Sequence, residues 1–306
     1  MKLYLAPLEG ITSYIYRKAL YQCFDGFDKY FIPFIRAKQN LNFSGREKKD
    51  ISPENNSGMY TVPQILTRNA DDFLRTANQL KEYGYQEVNL NLGCPSKTVV
   101  TKGCGAGFLA RPEELEQFLD RIFSKTDMKI SVKTRLGMEN AEEFPRLMEI
   151  YNRFPMEELI IHPRVQKDFY KNIPNLEIFG EALAISKNSV CYNGDIFSAD
   201  DFKRIHAQFP NVECFMMGRG ILADPSLARE IRGGKAADQS DIRRFHDLLY
   251  HTYREEVSGD RNVLFKMKEI WFYLTKSFPD REKYLKLIRK CQSLPEYKLI
   301  VQQIFS

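Results

Sequence analysis

Eight short runs of apolar, β-branched or aromatic residues, each followed by a stretch with helical periodicity, constrain this chain more than any other feature. They cover residues 3–6, 30–34, 60–66, 87–92, 130–135, 158–162, 190–193 and 213–218. Helical patterns lie between them, for example at 70–83, 112–124, 141–154 and 199–209, several opened by a capping residue or Pro. Strand then helix, eight times over about 230 residues, is the count and length of a (β/α)8 barrel. Residues 37–59 are polar, contain Gly45, Pro53 and Gly58, and read as a long loop with at most a short helix. After Gly233-Gly234 the strand pattern stops, and helical patterns follow at 240–257, 264–276, 281–291 and 295–304. The expected fold is an α/β TIM barrel over 1–235 followed by a smaller all-helical domain over 236–306.

An apolar share of 43% and a charged share of 28% in 306 residues argue against a disordered chain. No run of about 18 apolar residues is present, and Pro7 and Glu9 interrupt what a signal peptide would need as its apolar core. The protein is therefore expected in the cytoplasm, away from membranes. Six cysteines, Cys23, Cys94, Cys104, Cys191, Cys214 and Cys291, include no Cys-x-x-Cys pair, so neither a metal site nor a disulfide framework is expected. A functional thiol must then act alone. The net charge is +5, and residues 241–306 carry thirteen Lys and Arg against nine Asp and Glu. That excess suits an acidic partner, and a solvated helix surface gives the same count.

Active sites of such barrels gather at the C-terminal ends of the strands. Here those ends are polar throughout: Pro7-Leu8-Glu9, Arg36, Gln64, Asn89 with Asn91 and Cys94, Lys133 with Arg135, His162 with Arg164, Asn193-Gly194-Asp195 and Gly218-Arg219-Gly220. Turn chemistry explains any one of them and explains eight together poorly. The loops after strands seven and eight, with a helix N-terminus expected near Asp224-Pro225, form the frequent phosphate site of this fold. Glycine lets backbone N–H groups approach an anion, and Arg219 can bind it through its fork. A phosphate-bearing cofactor fits that position, with flavin mononucleotide (FMN) preferred over a sugar phosphate because of the residues across the mouth.

Alternation in Val132-Lys133-Thr134-Arg135 turns Lys133 and Arg135 together into the barrel mouth. An inward lysine needs an anionic partner, for which a reduced isoalloxazine edge and a neighbouring Asp or Glu are the alternatives. Gln64 suits the other edges of the ring. His162 reads either as a cofactor contact or as a satisfied structural histidine. Cys94 lies between Gly93 and Pro95 in a rigid loop after strand four. By residue type alone it is a small buried hydrophobe. With no adjoining His or Asp it is a poor nucleophile, whereas a thiol protonated near neutrality can act as a general acid.

At this point the chain resembles a known family, the tRNA-dihydrouridine synthases, and most of all their bacterial subfamily labelled C. The resemblance is carried by Leu5-Ala6-Pro7-Leu8-Glu9-Gly10, Phe34-Ile35-Arg36, Asn89 to Val99, Gly105-Ala106-Gly107, Val132 to Gly137, His162-Pro163-Arg164, Asn193 to Ile196 and Met217 to Gly220. It weakens in the tail, where Phe265-Lys266-Met267-Lys268 before Trp271 is only reminiscent of the family.

The resemblance implies an FMN enzyme that reduces the C5–C6 double bond of uridines in tRNA and uses NADPH to recharge the flavin. Pro7, Leu8, Glu9, Gln64, Lys133, His162, Asn193, Gly194, Asp195, Gly218 and Arg219 would hold FMN. Hydride would pass from flavin N5 to uracil C6, and Cys94 would protonate C5. Arg36, Asn89, Asn91, Lys97, Arg135, Arg164, Arg261, Lys266 and Lys268 are the residues expected to contact substrate or tRNA, with Arg243, Arg244, Arg254 and Tyr273 as further tail contacts. Trp271 and Phe272 read as helix core, from their amphipathic pattern. Two positions depart from the family, Pro163 and Thr67, where relatives carry Gly. Pro163 removes a backbone donor near the cofactor and bears on flavin affinity. A monomer is expected. Two competing readings remain: an FMN barrel acting on a free pyrimidine, as dihydroorotate dehydrogenases do, and a non-catalytic RNA-binding protein on a retired barrel.

Overall fold

The computed structural model describes residues 1–37 and 42–306. Eight parallel strands close into one barrel: β1 (Lys2–Leu5), β2 (Lys29–Arg36), β3 (Thr61–Leu66), β4 (Glu87–Leu92), β5 (Lys129–Arg135), β6 (Leu159–His162), β7 (Val190–Tyr192) and β8 (Cys214–Met217). Closure runs through Lys2 opposite Cys214 to Leu5 opposite Met217. Helices such as Ala70–Glu82, Pro112–Lys125 and Ala199–Gln208 return the chain to the next strand. Their starts are set by side chains that satisfy orphan N–H groups: Asn69 accepts from Asp72 and Ser198 from Asp201.

Three segments differ from the pattern read in the sequence. The 141–154 helix is divided into a 3-10 turn, Ala141–Glu143, and a helix, Phe144–Tyr151, with Pro145 in its first turn, where a missing N–H is harmless. The polar 37–59 stretch holds a helix, Gly45–Ile51, closed by a reciprocal cap between Ser44 and Glu47, and a 3-10 turn, Pro53–Asn56. After β8 an additional short helix, Arg219–Ala223, starts directly at the strand end, ahead of the helix expected near Asp224-Pro225, which is Leu227–Ile231. Gly220 permits this, since a Cβ there would stand 2.0 Å from the Ile196 carbonyl oxygen.

Two apolar layers form the core. The larger is continuous from the outer faces of the strands (Leu3, Val88, Leu90) through the surrounding helices (Phe73, Phe118) to the tail (Phe245, Trp271). The smaller lies inside the barrel and comprises Tyr4, Ala6, Phe31, Val62, Ile160, Cys191, Cys214 and Met216. The rest of the interior is polar, because β4 alternates Glu87, Asn89 and Asn91 inward with Val88, Leu90 and Leu92 outward. Lys29 offsets Glu87 at the floor at 2.8 Å and reaches Glu158 at 3.1 Å.

The tail folds as helices Gln239–Glu256, Asp260–Leu274, Arg281–Lys290 and Leu294–Ile304. Phe245 packs edge-on against Tyr16 and Phe24 of the barrel, at 5.5 and 5.6 Å between centroids. Trp271 is fully buried and donates its indole N–H to Tyr297 at 2.7 Å. Phe272 is not core: it is 43% exposed, with Arg289 over its ring. No helix among the described residues is long and apolar enough to cross a membrane.

Candidate active site

The strand ends converge on one mouth, and their hydrogen bonds sort the residues into those that hold the site and those that face it. Asn91, at the end of β4, accepts from the backbone N–H of Gly93 at 3.1 Å and of Cys94 at 2.9 Å. Its own amide donates to Gln64 Oε1 at 2.7 Å. The Cys94 carbonyl accepts from Ala106, and Gly105, at φ +56, passes so near that a Cβ would stand 2.9 Å from that carbonyl. Cys94 is thus fixed on both sides and only partly exposed. Burial pushes its pKa up, and Arg36 and Arg135 do not reverse that, so the thiol stays protonated near neutrality.

Lys133 points inward from β5 without an ion pair or hydrogen bond among the described residues. Burial, reinforced by Arg135, lowers its pKa to about 8. The alternative of an acidic neighbour is therefore overturned: the acids of the interior, Glu87 and Glu158, are spent on Lys29 at the floor.

His162 is buried at the end of β6. Arg164 Nη1 lies 3.0 Å from its Nε2, and since a guanidinium can only donate, Nε2 is the acceptor and the ring proton sits on Nδ1. Burial, with Arg135, Lys133, Arg164 and Arg219 nearby, holds its pKa well below the usual histidine value, so it is neutral. Asp195 accepts from Arg164 through both oxygens and from Arg219 at 2.6 Å. Asn193 is buried and donates to the Met216 carbonyl, tying the ends of β7 and β8 together. A Cβ at Gly194 would stand 2.0 Å from the Tyr192 hydroxyl, which restricts that position to Gly, and Gly218 lies beside Ala6 and Leu8. Pro7 and Leu8 are half-buried at the rim, whereas Glu9 is exposed. Glu9 and Arg36 line a small cavity of about 180 Å³ with Arg46 and Asp50.

Several expected substrate contacts are placed otherwise. Asn89 is fully buried inside the barrel, bonded to Gln64 and Ser131. Arg135 is buried with its guanidinium donating to the carbonyls of Gly93, Val165 and Phe169, which locks three loops together. Arg164 is buried under His162 and Asp195. Lys266 anchors the tail by donating to the Gly10 carbonyl at 2.7 Å, and Lys268 donates to the carbonyls of Arg289 and Cys291 that end the next helix. Lys97 is exposed at the start of helix Lys97–Val100, and Arg261 stands over Phe265 on the surface. Pro163 accepts from the Asn175 N–H and Thr67 from the Asn69 N–H, so both are settled in local turns.

One residue escaped the sequence reading. Tyr170 lies 4.3 Å under the Arg219 guanidinium and stacks on His162 at 6.0 Å. It is presented by Phe169, whose φ of +50° is unusual for a residue with a side chain. The adjacent aromatic pair in an otherwise polar loop was the available signal. A larger cleft, of about 910 Å³, separates the barrel from the tail, and none of the candidate residues lines it. Among the described residues no cluster of His, Cys, Asp and Glu has the makings of a metal site.

Fold and site together define a (β/α)8-barrel enzyme whose mouth combines a protonated thiol, a neutral histidine, two arginines paired with Asp195 and, in Lys133, an inward cation without a carboxylate partner among the described residues. The solved structures similar to it share that fold: morphinone reductase has a TM-score of 0.53 and 10% identity over 80% of this chain and 88% of its own. Histamine dehydrogenase from Rhizobium sp. 4-9 has a TM-score of 0.58 and 12% identity, over 88% of this chain and 49% of its own. A family model described as dihydrouridine synthase matches residues 4–305, tail included, and the chain belongs to that family. Its relatives include the tRNA-dihydrouridine(16) synthase of Cupriavidus necator, 27% identical over 98% of this chain and 96% of that protein. That of Ralstonia nicotianae is 29% identical over 78% and 75%, and the tRNA-dihydrouridine synthase B of Pasteurella multocida 26% over 74% and 68%.

Proposed function

We propose that this chain reduces the C5–C6 double bond of a uridine in tRNA to dihydrouridine, with FMN as bound cofactor and NADPH as its reductant. The observation that carries the reading is the mouth itself: Cys94 held protonated, and no acid pairing with Lys133 among the described residues. An anionic aromatic ligand fits that donor set. Lys133 would neutralise an anionic ring edge, the Gln64 amide would bond a polar one, and Arg219 with the Asn193 to Asp195 loop would hold a phosphate. Bound there, the flavin supplies hydride. The chain supplies the proton from Cys94 and the orientation of its loop through Asn91.

Reduction adds one hydride and one proton across the double bond, so a single acid suffices and no second titrating group is needed. A uracil within folded RNA must be flipped out to reach this depth, which assigns tRNA phosphates to exposed cations around the mouth, Lys97 and Arg261 among them. The relatives' names point to uridine 16 as the position reduced. Unmodified tRNA incubated with the protein and NADPH should gain dihydrouridine at that position, read by nuclease mapping and nucleoside mass spectrometry. Consumption of free uracil or orotate with tRNA untouched would replace this reading with a small-pyrimidine reductase. Cys94→Ala should retain FMN and lose most turnover, and unchanged turnover would remove the acid role.

A further inference from the structure

Glu87, Asn89 and Asn91 are alternate residues of β4 and all face the barrel interior, so this strand carries polar groups from the floor to the mouth, about 13 Å at 3.3 Å per residue. They belong to one unbroken chain of hydrogen bonds. Ser131 donates to Glu87 Oε1 at 2.9 Å, Asn89 Nδ2 to Ser131 Oγ at 3.0 Å, Gln64 Nε2 to Asn89 Oδ1 at 2.8 Å, and Asn91 Nδ2 to Gln64 Oε1 at 2.7 Å. At the top the Cys94 and Gly93 backbone N–H groups donate to Asn91 Oδ1.

The chain has one allowed direction, and both of its ends impose it. Glu87, paired with Lys29, can only accept, and backbone N–H groups can only donate. Reversing any amide between them sets donor against donor or acceptor against acceptor in a site without bulk water, where an unmade bond is costly. The orientation of Asn91 beneath the thiol is therefore held from two sides, by the backbone N–H groups above it and, through the chain, by Glu87 at the opposite end of the barrel.

We propose that Glu87 is a positioning residue for Cys94, acting through Ser131, Asn89, Gln64 and Asn91 to hold the thiol's loop in its reactive placement. This rests on the reading of Cys94 as the proton donor. Glu87→Gln puts a donor where two acceptors are required: its amide must face either Lys29 or Ser131, and the second case either strips the Ser131 hydroxyl of its acceptor or reverses the amides up to Asn91, whose NH2 would then face the Cys94 N–H. Ser131→Ala cuts the chain while leaving the Lys29–Glu87 pair in place.

The test is labelling of the flavin-loaded protein by iodoacetamide across pH, followed residue by residue with peptide mass spectrometry. Cys104 is also partly exposed and lies outside the chain of bonds, so it serves as an internal reference. Burial is the main cause that holds the Cys94 thiol up, so a loosened loop should move its labelling midpoint to lower pH by about half a unit or more in both variants, with Cys104 unmoved. Oxidation of the reduced enzyme by tRNA in a single turnover should slow about tenfold or more, while flavin reduction by NADPH stays within about twofold. Cys94 profiles that overlay the wild type, or that move in step with Cys104, would overturn the proposal. If Glu87→Gln does not fold, Ser131→Ala decides it alone. Turnover retained in Cys94→Ala would remove the acid role instead, and the labelling profiles would still judge the coupling.

Discussion

Replacing Lys133 by Met should stabilise the cofactor-free protein while abolishing its use for a flavin. In the folded chain the lysine titrates at about 8, against about 10.4 for an unperturbed lysine. A depressed folded pKa means that the native state resists protonation. Relative to strongly alkaline solution, stability is therefore lost as pH falls from about 10.4 to about 8, and the full penalty applies at neutrality. At about 1.4 kcal/mol per pKa unit this is ~3 kcal/mol at pH 7 and ~2 kcal/mol at pH 9. Lys133 as a residue is only half-buried, and the resulting screening brings the expected gain for Lys133→Met at pH 7 to between ~1 and ~3 kcal/mol. Met retains the volume and the stem, so packing changes little. Urea denaturation of flavin-free wild type and variant at pH 7 and pH 9 measures it: the variant should be more stable at both and by less at pH 9. A variant no more stable than wild type at pH 7, or a gain that does not shrink with pH, would refute the account of Lys133 as an uncompensated cation. The same charge predicts that flavin affinity of the wild type weakens as pH rises through about 8, and that the variant loses this dependence.

Gly220→Ala forces a methyl against the Ile196 carbonyl at the start of helix Arg219–Ala223, and should destabilise by about 1–3 kcal/mol and weaken flavin retention, measured by thermal unfolding and by absorbance after gel filtration. Lys268→Ala removes the cation that satisfies the carbonyls ending helix Arg281–Lys290, so its loss of roughly 1 kcal/mol should appear in unfolding curves with tRNA affinity preserved. Lys97→Ala should do the reverse: stability is unchanged, tRNA affinity falls, and the slope of log affinity against log salt drops by about one, as a filter-binding series can show.

The barrel was legible because alternation and turn chemistry repeat eight times, and an error at any one strand leaves the count intact. Boundaries moved by a residue or two, as with β7, which stops at Tyr192, while the Asn193 side chain bonds the Met216 carbonyl at the end of β8. The site was legible as a set of strand-end residues and illegible as a set of roles. Arg135, Arg164, Lys266 and Lys268 are cations at the ends of strands or on tail helices, which sequence reads as substrate contacts. Each of them is occupied by carbonyls or a carboxylate that the sequence places tens of residues away, or in a loop whose path it does not specify.

Lys133 differs from those four in having no such partner among the described residues, and under the proposed function that contrast marks the anion-binding part of the mouth better than residue type does. A buried cation without an internal acceptor weakens the fold and persists where a ligand completes it. Two inward lysines divide accordingly: Lys29 on β2 meets Glu87 and Glu158 at the floor, and Lys133 on β5, opposite Asn91 and two layers above Glu87, has no carboxylate partner among the described residues, which under the proposed function leaves it to the cofactor. The floor pair uses the interior's carboxylates below the mouth, which sets the lower end of the amide chain under Cys94 and, under the proposed function, leaves Lys133 free to hold an anion.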